Sequence, residues 1–371
     1  MHHIDSEFAV DSLSGPGSLS GFGERFESRQ SNNPALVEVL KNDERIDEVP
    51  IVRVKVHDLY APTSEQELRD YWDIRSRIAA IEDALRSEDS GIVENGLATG
   101  RALLDANPTI LAWKKMMTTA MALHPLQRPH TDRLLDEEGT EVNSDARKLF
   151  LYGQEATIIR SRGAIFSWRM GLRDGDIKNG VGLGGGAAVP ECDAIAKMLL
   201  QPFMTYVDMD EKALKHIAET AREVGISADS YKTVQAHLLK DFLFAKQQHP
   251  DMPEENFDMV DLLGLIDYFN KEMAIRLLAK SYELVKPGGV LIFSNMLDEN
   301  PTLKFNQQVV EWPGVIPFSL ADIAAIAKHV AGPENSAIYV PEDRGYGVAE
   351  LTKPINGHIF ERSLGMTALV R

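Results

Sequence analysis

The chain has 371 residues, of which 44% are hydrophobic, and it carries a formal net charge of −17. This acidity excludes nucleic acid and anionic membrane as principal partners, because both require a basic face, and it suits a protein that acts on a small-molecule substrate. Cys192 is the only cysteine, which excludes an internal disulfide and favours a reducing compartment. The N-terminus contains no long apolar run and the histidines show no ligand spacing. We therefore expect a cytoplasmic protein without a membrane span or a metal site.

The first 145 residues are predicted to lie outside the main sheet. Residues 1–32 are rich in serine, glycine and charge, which is typical of a flexible arm. Residues 33–145 have a mostly helical pattern and predict a helical cap domain. Its clearest helix, EQELRDYWDIRSRIAAIEDAL, follows a capping-box start at Thr63 and Ser64 and spaces its apolar residues in threes and fours. The segment VPIVRVKV at 49–56 has the composition of a strand, but the sequence does not place it in a sheet.

Residues 146–371 are predicted to form a second domain, which begins with a long helix, ARKLFLYGQEATIIRSRGAIFSWRMGL. This helix leads directly into a glycine-rich turn, so part of it should lie beside any ligand bound there. Arg160 and Arg162 bracket Ser161 on it, and either guanidinium is a candidate for a forked contact with a ligand carboxylate.

The stretch from Asn179 to Asp210 predicts a strand, a glycine turn, a helix and a second strand. Pro190 suits the first turn of that helix, where a missing N–H costs little, and CDAIAKMLL continues it with helical spacing. The second strand, MTYVDMD, ends in acids, and Asp208 lies about 20 residues past the turn, which is the spacing of an acid that bonds a ribose. The glycines of the turn are Gly182, Gly184, Gly185 and Gly186.

Strands and helices alternate regularly after Asp208. Helices are predicted at 212–224, at KEMAIRLLAKSYELV and at ADIAAIAKHVA, with strands at 231–236, at 257–263 and after the sequence KPGG. The segments SAIYVPED and YGVAELTK predict a terminal pair of strands. The whole pattern predicts an α/β protein with a doubly wound, mostly parallel sheet and an antiparallel edge at the C-terminus.

From about Lys148 onward this order resembles the class I S-adenosylmethionine (SAM) methyltransferase fold, a Rossmann-like fold. Four blocks carry the resemblance: the glycine turn, the strand-end acid Asp208, the strand start FDMV, and KPGG before a strand. One position departs from the family, which usually has an acid two residues before the first glycine, where this chain has Gly180. The methionine amino group of SAM would then need another acceptor, either a backbone carbonyl or Asp261.

The resemblance implies a site for SAM and assigns residues to its parts. The glycine turn allows close approach of the backbone, and the following helix N-terminus can face the methionine carboxylate. Asp208, with Met209 beside it, is expected at the ribose, and His237 with Leu238 at the adenine. The remaining candidates, at the reacting end, are Gly264, Leu265, Asp267, Tyr268, Asn295 and Tyr152. Capping of a helix is a rival role for Asp267 and Tyr268.

Three interpretations of function remain open at this stage. The first is methyl transfer to a small molecule, with an aromatic face near the sulfonium and Asp267 or Asp261 as a base. The second is cyclisation or transfer of the aminocarboxypropyl arm of SAM, because the layout also resembles that of azetidine-2-carboxylate synthases, in which methylthioadenosine is released. The third is a non-catalytic scaffold. Pairing of two chains as a homodimer is also left open.

Overall fold

A single mixed sheet organises the protein, whose computed structural model describes residues 37–116, 124–128, 144–245, 256–312 and 314–355. The sheet has nine strands in the order β1-β2-β8-β9-β7-β6-β3-β4-β5. In chain order they are β1 (Val37–Ile46), β2 (Val49–Val56), β3 (Asn179–Leu183), β4 (Phe203–Asp208), β5 (Tyr231–Gln235), β6 (Phe257–Leu262), β7 (Val285–Met296), β8 (Ser336–Pro341) and β9 (Tyr346–Thr352).

Helices cover both faces of the sheet and one of its ends. The longer ones are α1 (Glu65–Leu85), α2 (Ser90–Asp105), α3 (Pro108–Met116), α4 (Ser144–Tyr152), α5 (Gln154–Gly171), α6 (Val189–Ile195), α7 (Glu211–Glu223), α8 (Lys271–Glu283) and α9 (Leu320–Ala331). Shorter helical turns are His124–Gln127, Ala228–Ser230, Leu238–Leu243, Ile266–Tyr268, Leu303–Phe305, Asn306–Val310 and Pro333–Asn335. Ser64 caps α1 in the predicted capping box, since its hydroxyl accepts from the Glu67 N–H.

Strands β3 to β7 are parallel neighbours, and the final strand runs against them. β9 pairs antiparallel with β7 on one side and with β8 on the other. This is the strand order of the class I SAM methyltransferase fold, so the doubly wound, mostly parallel sheet is confirmed. The antiparallel strand, however, is not at the edge. Every residue of β8 and β9 is buried, and a further strand pairs with the outer side of β8.

That further strand is β2, which corrects the predicted cap. Residues 37–56 form a hairpin rather than part of a helical domain, and β2 pairs parallel with β8, with Ile51 opposite Ile338. Asp47 and Glu48 adopt positive φ at the tip, as a tight hairpin turn requires. β1 carries mostly exposed residues and closes the sheet with a polar edge.

Three apolar clusters form the core. One fills the face of the sheet under α8 and α9, and another fills the face under α5, α6 and α7. The third contains residues of the helices α1, α2, α3 and α4 and of the first half of α5. These pack with Met296 at the end of β7 and Tyr346 at the start of β9. Residues from Leu36 onward belong to one compact unit, so the helices of residues 65–116 are not set apart as a separate unit. The predicted arm, 1–32, lies outside the described residues.

Two helices differ from their predicted extents. The long helix before the glycine turn is broken at Gly153 into α4 and α5, and a Cβ at this glycine would lie 2.4 Å from the Leu149 carbonyl oxygen. The helix after the turn ends at Ile195, and the apolar residues Leu199 and Leu200 beyond it are exposed. Apolar spacing suggested longer helices in both places because it does not report such local breaks.

Candidate active site

The glycine turn lies at the carboxyl end of β3, on the same edge of the sheet as the ends of β4, β6 and β7, since these strands are parallel. Gly184 and Gly186 adopt positive φ, 71° and 56°, which a side chain would strain. The Gly184 N–H donates to the Val207 carbonyl at 2.7 Å. Gly185 has no atom closer than 3.8 Å to the place where a Cβ would stand, so the backbone of the turn is open to close approach there.

Asp208 braces this turn from the end of β4. Its carboxylate accepts from the Gly186 N–H at 3.0 Å and from the Asp210 N–H at 2.9 Å. Burial raises the pKa of Asp208 despite these bonds. Each carboxylate oxygen can accept a second hydrogen bond, so the predicted ribose contact is compatible with the geometry. Met209 is 63% exposed beside it.

An acid at Gly180, where the family usually has one, would require neighbouring methionine side chains to move. A Cβ there would lie 2.6 Å from the Met204 sulfur, so two methionines of the neighbouring strands, Met204 and Met259, occupy the space. The next strand, β6, carries a buried acid close to the glycine turn. Asp261 pairs in register with Gly182, and its Oδ2 lies 3.2 Å from the place of a Gly182 Cβ.

Asp261 lies next to a second buried acid, Glu191, in the first turn of α6. Burial and the mutual repulsion of the two carboxyls raise the pKa of Asp261, and burial is also the main cause that raises the pKa of Glu191. Two carboxyls this close do not readily ionise together, so one of them keeps its proton to a higher pH than an isolated acid would. The sequence analysis named Asp261 but missed Glu191, which stands in the helix one residue after Pro190.

Arg162 is the most unusual group at this edge of the sheet. The residue is 1% exposed, yet its Nε and Nη1 have no hydrogen-bond partner. Its guanidinium lies 4.6 Å from the centre of the Tyr346 ring, and Nη1 is 3.7 Å from Asp267. Nη1 would also lie 3.0 Å from a Cβ on Gly264, which follows β6. A buried cation with unused donors is costly unless a ligand completes it.

Arg160, two residues earlier, is fully committed to the protein. Its guanidinium bonds both oxygens of Asp58 at 2.9 and 2.6 Å and donates to the carbonyls of Leu126, Phe150 and Leu151. All five N–H donors are therefore used. These contacts argue against the predicted cofactor role of Arg160, because they leave no donor for a ligand carboxylate.

The loop after β6 contacts the glycine turn and carries two of the predicted catalytic residues. The Leu265 side chain packs on Gly184, within 3.0 Å of the place of a Cβ. Asp267 is buried, accepts from the Met296 N–H at 2.7 Å, and has its pKa raised to about 7 by burial. Tyr268 is 42% exposed, and its hydroxyl accepts from Trp312 Nε1 at 3.0 Å.

Helix capping does not account for Asp267 or Tyr268, because Asn270 caps α8. Asn295, near the end of β7, accepts from the Phe318 N–H, while its buried Nδ2 has no partner in the described structure. Leu238 is buried after β5, whereas His237 is exposed and its N–H donates to Asp241 at 2.8 Å. The expectation that these two residues meet adenine stays a prediction.

Tyr152 ends α4, and its described contacts give it a packing role. The residue is buried in the helical cluster, its ring meets Tyr71 edge-on at 6.1 Å, and its carbonyl accepts from Arg75. The structure therefore places Tyr152 in the core of the helices. None of these contacts is with the glycine turn.

Glu155, in the first turn of α5, is a polar residue that the sequence analysis missed. Its Oε2 accepts from Asn306 at 2.6 Å, Thr302 at 2.8 Å and Asn300 at 3.3 Å, while its buried Oε1 has no partner. Burial raises its pKa. It lines a cavity of about 20 Å³ together with Trp113, Phe305 and Trp312. A glutamate in an apolar helical run, EATIIRSRG, was the available signal.

No family profile and no curated protein matches the chain. Among solved structures, it is similar to a possible exported protein from Bordetella parapertussis, with 13% identity over 79% of this chain and 100% of that one and a TM-score of 0.52. It is also similar to an O-methyltransferase family protein from Burkholderia thailandensis, with 14% identity over 80% of this chain and 100% of that one and a TM-score of 0.44. A third similar structure is the SAM-dependent methyltransferase SibL, with 16% identity over 78% of this chain and 74% of that one and a TM-score of 0.44. At these identities the likeness shows the fold alone.

The described residues include no group of three or more histidine, cysteine, aspartate or glutamate side chains arranged to hold a metal ion. Over the same part of the chain, no helix combines the length and the apolar character that crossing a membrane requires.

Proposed function

We propose that this protein binds SAM at the carboxyl edge of the sheet and catalyses methyl transfer to a small molecule. The observation that carries the proposal is Arg162, a buried guanidinium with unused donors that stands beside the loop contacting the glycine turn. A carboxylate is the natural partner for such a fork, and the methionine end of SAM has one.

The residues of this edge fit the other parts of SAM. The open backbone at Gly185 allows close approach, and Asp208 has acceptor capacity for ribose hydroxyls. The acids Asp261 and Glu191 replace the acid missing at Gly180 and would hold the methionine ammonium, sharing one negative charge. When bound, SAM supplies an electrophilic methyl group on a positively charged sulfur.

The protein's own contribution to methyl transfer is alignment and exclusion of water. Asp267 is held by the Met296 N–H, and its pKa of about 7 suits a group that accepts a proton near neutral pH. Tyr268 and Trp312 are joined by a hydrogen bond and present aromatic surface next to it. These residues would position a small-molecule acceptor for attack on the methyl carbon.

The direct test is calorimetric titration of the protein with SAM, followed by incubation with SAM and a panel of small acceptors. We expect SAM to bind and S-adenosylhomocysteine to form only when an acceptor is present. A folded protein that does not bind SAM would refute the proposal and favour a non-catalytic scaffold.

A second candidate reaction is cyclisation of the aminocarboxypropyl arm, and the acid pair of Glu191 and Asp261 favours it. This reaction needs a neutral methionine amine, and two acids with raised pKa values can accept the proton from the ammonium. The amine nitrogen would then attack the γ-carbon of the same methionine chain. The bond between that carbon and sulfur would break, and its electron pair would leave on the sulfur of methylthioadenosine.

Mass spectrometry of SAM incubated with the protein alone separates the two reactions. Methylthioadenosine together with azetidine-2-carboxylate would establish cyclisation. Unchanged SAM in the absence of an acceptor, with S-adenosylhomocysteine in its presence, would establish methyl transfer.

A further inference from the structure

The cavity at Glu155 joins an unsatisfied acid to aromatic walls, outside the positions assigned above to SAM. Trp113, Phe305 and Trp312 line it, and Thr302 and Asn306 complete its polar side. At about 20 Å³ it has room for a group the size of one water molecule, which is also the size of an ammonium group. We propose that it receives the ammonium group of the methyl acceptor, so that the substrate class is an amine. This inference rests on the methyl transfer proposed above.

The hydrogen bonds of Glu155 are divided unevenly in a way that suits a cation. Three donors converge on Oε2, at 2.6, 2.8 and 3.3 Å, which stabilises the negative charge and fixes the carboxylate plane. Oε1 is buried and receives no hydrogen bond. The three neighbours have spent these donors on Oε2, so Oε1 needs a donor that enters the cavity from a ligand.

Near the cavity, three carboxyls outnumber the guanidinium groups that act on them. Asp267 is buried, Glu155 and Asp343 are half-buried, and desolvation raises the pKa of each. The cations that act on them are Arg162 and Arg75. Arg162 is 3.7 Å from Asp267, and the SAM carboxylate would draw on it further. A ligand with one positive charge would balance the cluster.

The aromatic walls favour an ammonium group over water or an alcohol. A buried water needs two to four polar partners, whereas most residues that line this cavity are apolar or aromatic. An ammonium group gains both the carboxylate and the ring faces, because the face of an indole attracts cations. Trp312 also bonds Tyr268, which connects the cavity to the loop that contacts the glycine turn.

The chemical step balances with Glu155 as the proton acceptor. The carboxylate takes one proton from the substrate ammonium, and the freed lone pair attacks the methyl carbon. The new N–C bond forms as the C–S bond breaks, and its electron pair stays on sulfur. Glu155 then releases the proton to solvent, so that a methylated ammonium, S-adenosylhomocysteine and one proton leave.

Tryptophan fluorescence can follow cation binding directly, since Trp113 and Trp312 line the cavity. The probes are methylammonium, neutral methanol of similar size, and tetramethylammonium, which is too large for a cavity of about 20 Å³. We expect a saturable change in the millimolar range with methylammonium alone. Glu155→Gln should weaken that binding at least tenfold, whereas Glu65→Gln, which removes the same charge from an exposed position, should not change it.

Each outcome decides the inference. Equal binding of methylammonium by the wild type and by Glu155→Gln, or equal responses to methylammonium and methanol, would overturn it. If Glu155→Gln does not fold, the three probes on the wild type still discriminate. A protein that binds SAM but shows no methylammonium response refutes the amine site alone. Loss of SAM binding with a retained, Glu155-dependent response would refute methyl transfer and leave the cation site established.

Discussion

Replacing Arg162 by methionine should make the protein without SAM more stable while it weakens SAM binding. Most substitutions of a fully buried side chain destabilise, so this sign is diagnostic. The reason is that Arg162 keeps a charge in the core with two nitrogens unpaired. Methionine has a similar length and flexibility and fills the same channel with apolar atoms.

The magnitude follows from the contacts that are lost and the costs that are removed. Two unpaired buried donors cost about 1–3 kcal/mol each. Against this stand a cation–π contact with Tyr346 of about 1–2 kcal/mol and a weak pairing with Asp267 across 3.7 Å. We expect a net gain of about 1–3 kcal/mol in the free energy of unfolding. SAM affinity should fall by about 10- to 100-fold, since a charge-assisted contact contributes about 1.5–3 kcal/mol.

Arg160→Met is the matched control, because the residue stands on the same helix two positions earlier. Its guanidinium makes five hydrogen bonds, including both oxygens of Asp58. Removing this guanidinium leaves Asp58 and three carbonyls without their hydrogen-bond donor, which should lower the free energy of unfolding by about 3–5 kcal/mol. Urea unfolding measures both variants, and calorimetry measures SAM affinity. If Arg162→Met destabilises the protein like Arg160→Met and leaves SAM affinity unchanged, the guanidinium is structural and the reasoning fails.

Three further results are expected. Asp208→Asn should weaken SAM binding by about 1.5–3 kcal/mol in calorimetry, because it removes the charge from the ribose acceptor, and an unchanged affinity would remove this residue from the site. Asp267 has a folded pKa of about 7 against 3.8, so the folded state holds its proton more tightly and the stability is lost as pH rises between these values. In Asp267→Asn, the free energy of unfolding measured with urea should lose up to about 4 kcal/mol of its decrease between these pH values. The same pH dependence in the variant and the wild type would contradict this. Burial raises the pKa of Glu350, but Arg169 and Arg173 outweigh it and keep that pKa low. Glu350→Gln should therefore lower the free energy of unfolding by about 3–5 kcal/mol at pH 7. The difference from the wild type should shrink as pH falls below 4.5, and a constant difference would argue against the ion pair.

Much of the fold was predictable because its signals are local. The glycine turn, the strand-end acid Asp208 and the alternation of strands with helices each depend on neighbours within about 30 residues. The place of β2 was not predictable in this way. Its partner, β8, lies far along the chain, and the sequence VPIVRVKV does not indicate which strand it will pair with.

The site divides along the same line. Residues at strand ends, such as Asp208 and Asp261, were found because the sheet fixes where strands end. Arg160 and Arg162 of α5 were indistinguishable in sequence, and only their partners separate the satisfied Arg160 from the unsatisfied Arg162. Glu155 and Glu191 were missed because the significance of a buried acid comes from what surrounds it after folding.

The insertion of the first hairpin beside β8 has a consequence for the order in which the chain can fold during synthesis. Ile51 and its partner Ile338 are separated by nearly 290 residues, and at about 5–20 residues per second a ribosome needs about 15–60 s to traverse that distance. Throughout that interval the apolar strand β2 has its neighbour β1 but no sheet to join. β9 must also enter between β7 and β8 before the sheet is continuous. Nascent chains stalled before residue 336 should therefore expose the edge of β2 that pairs with β8, and they should bind chaperones more strongly than chains released after residue 352.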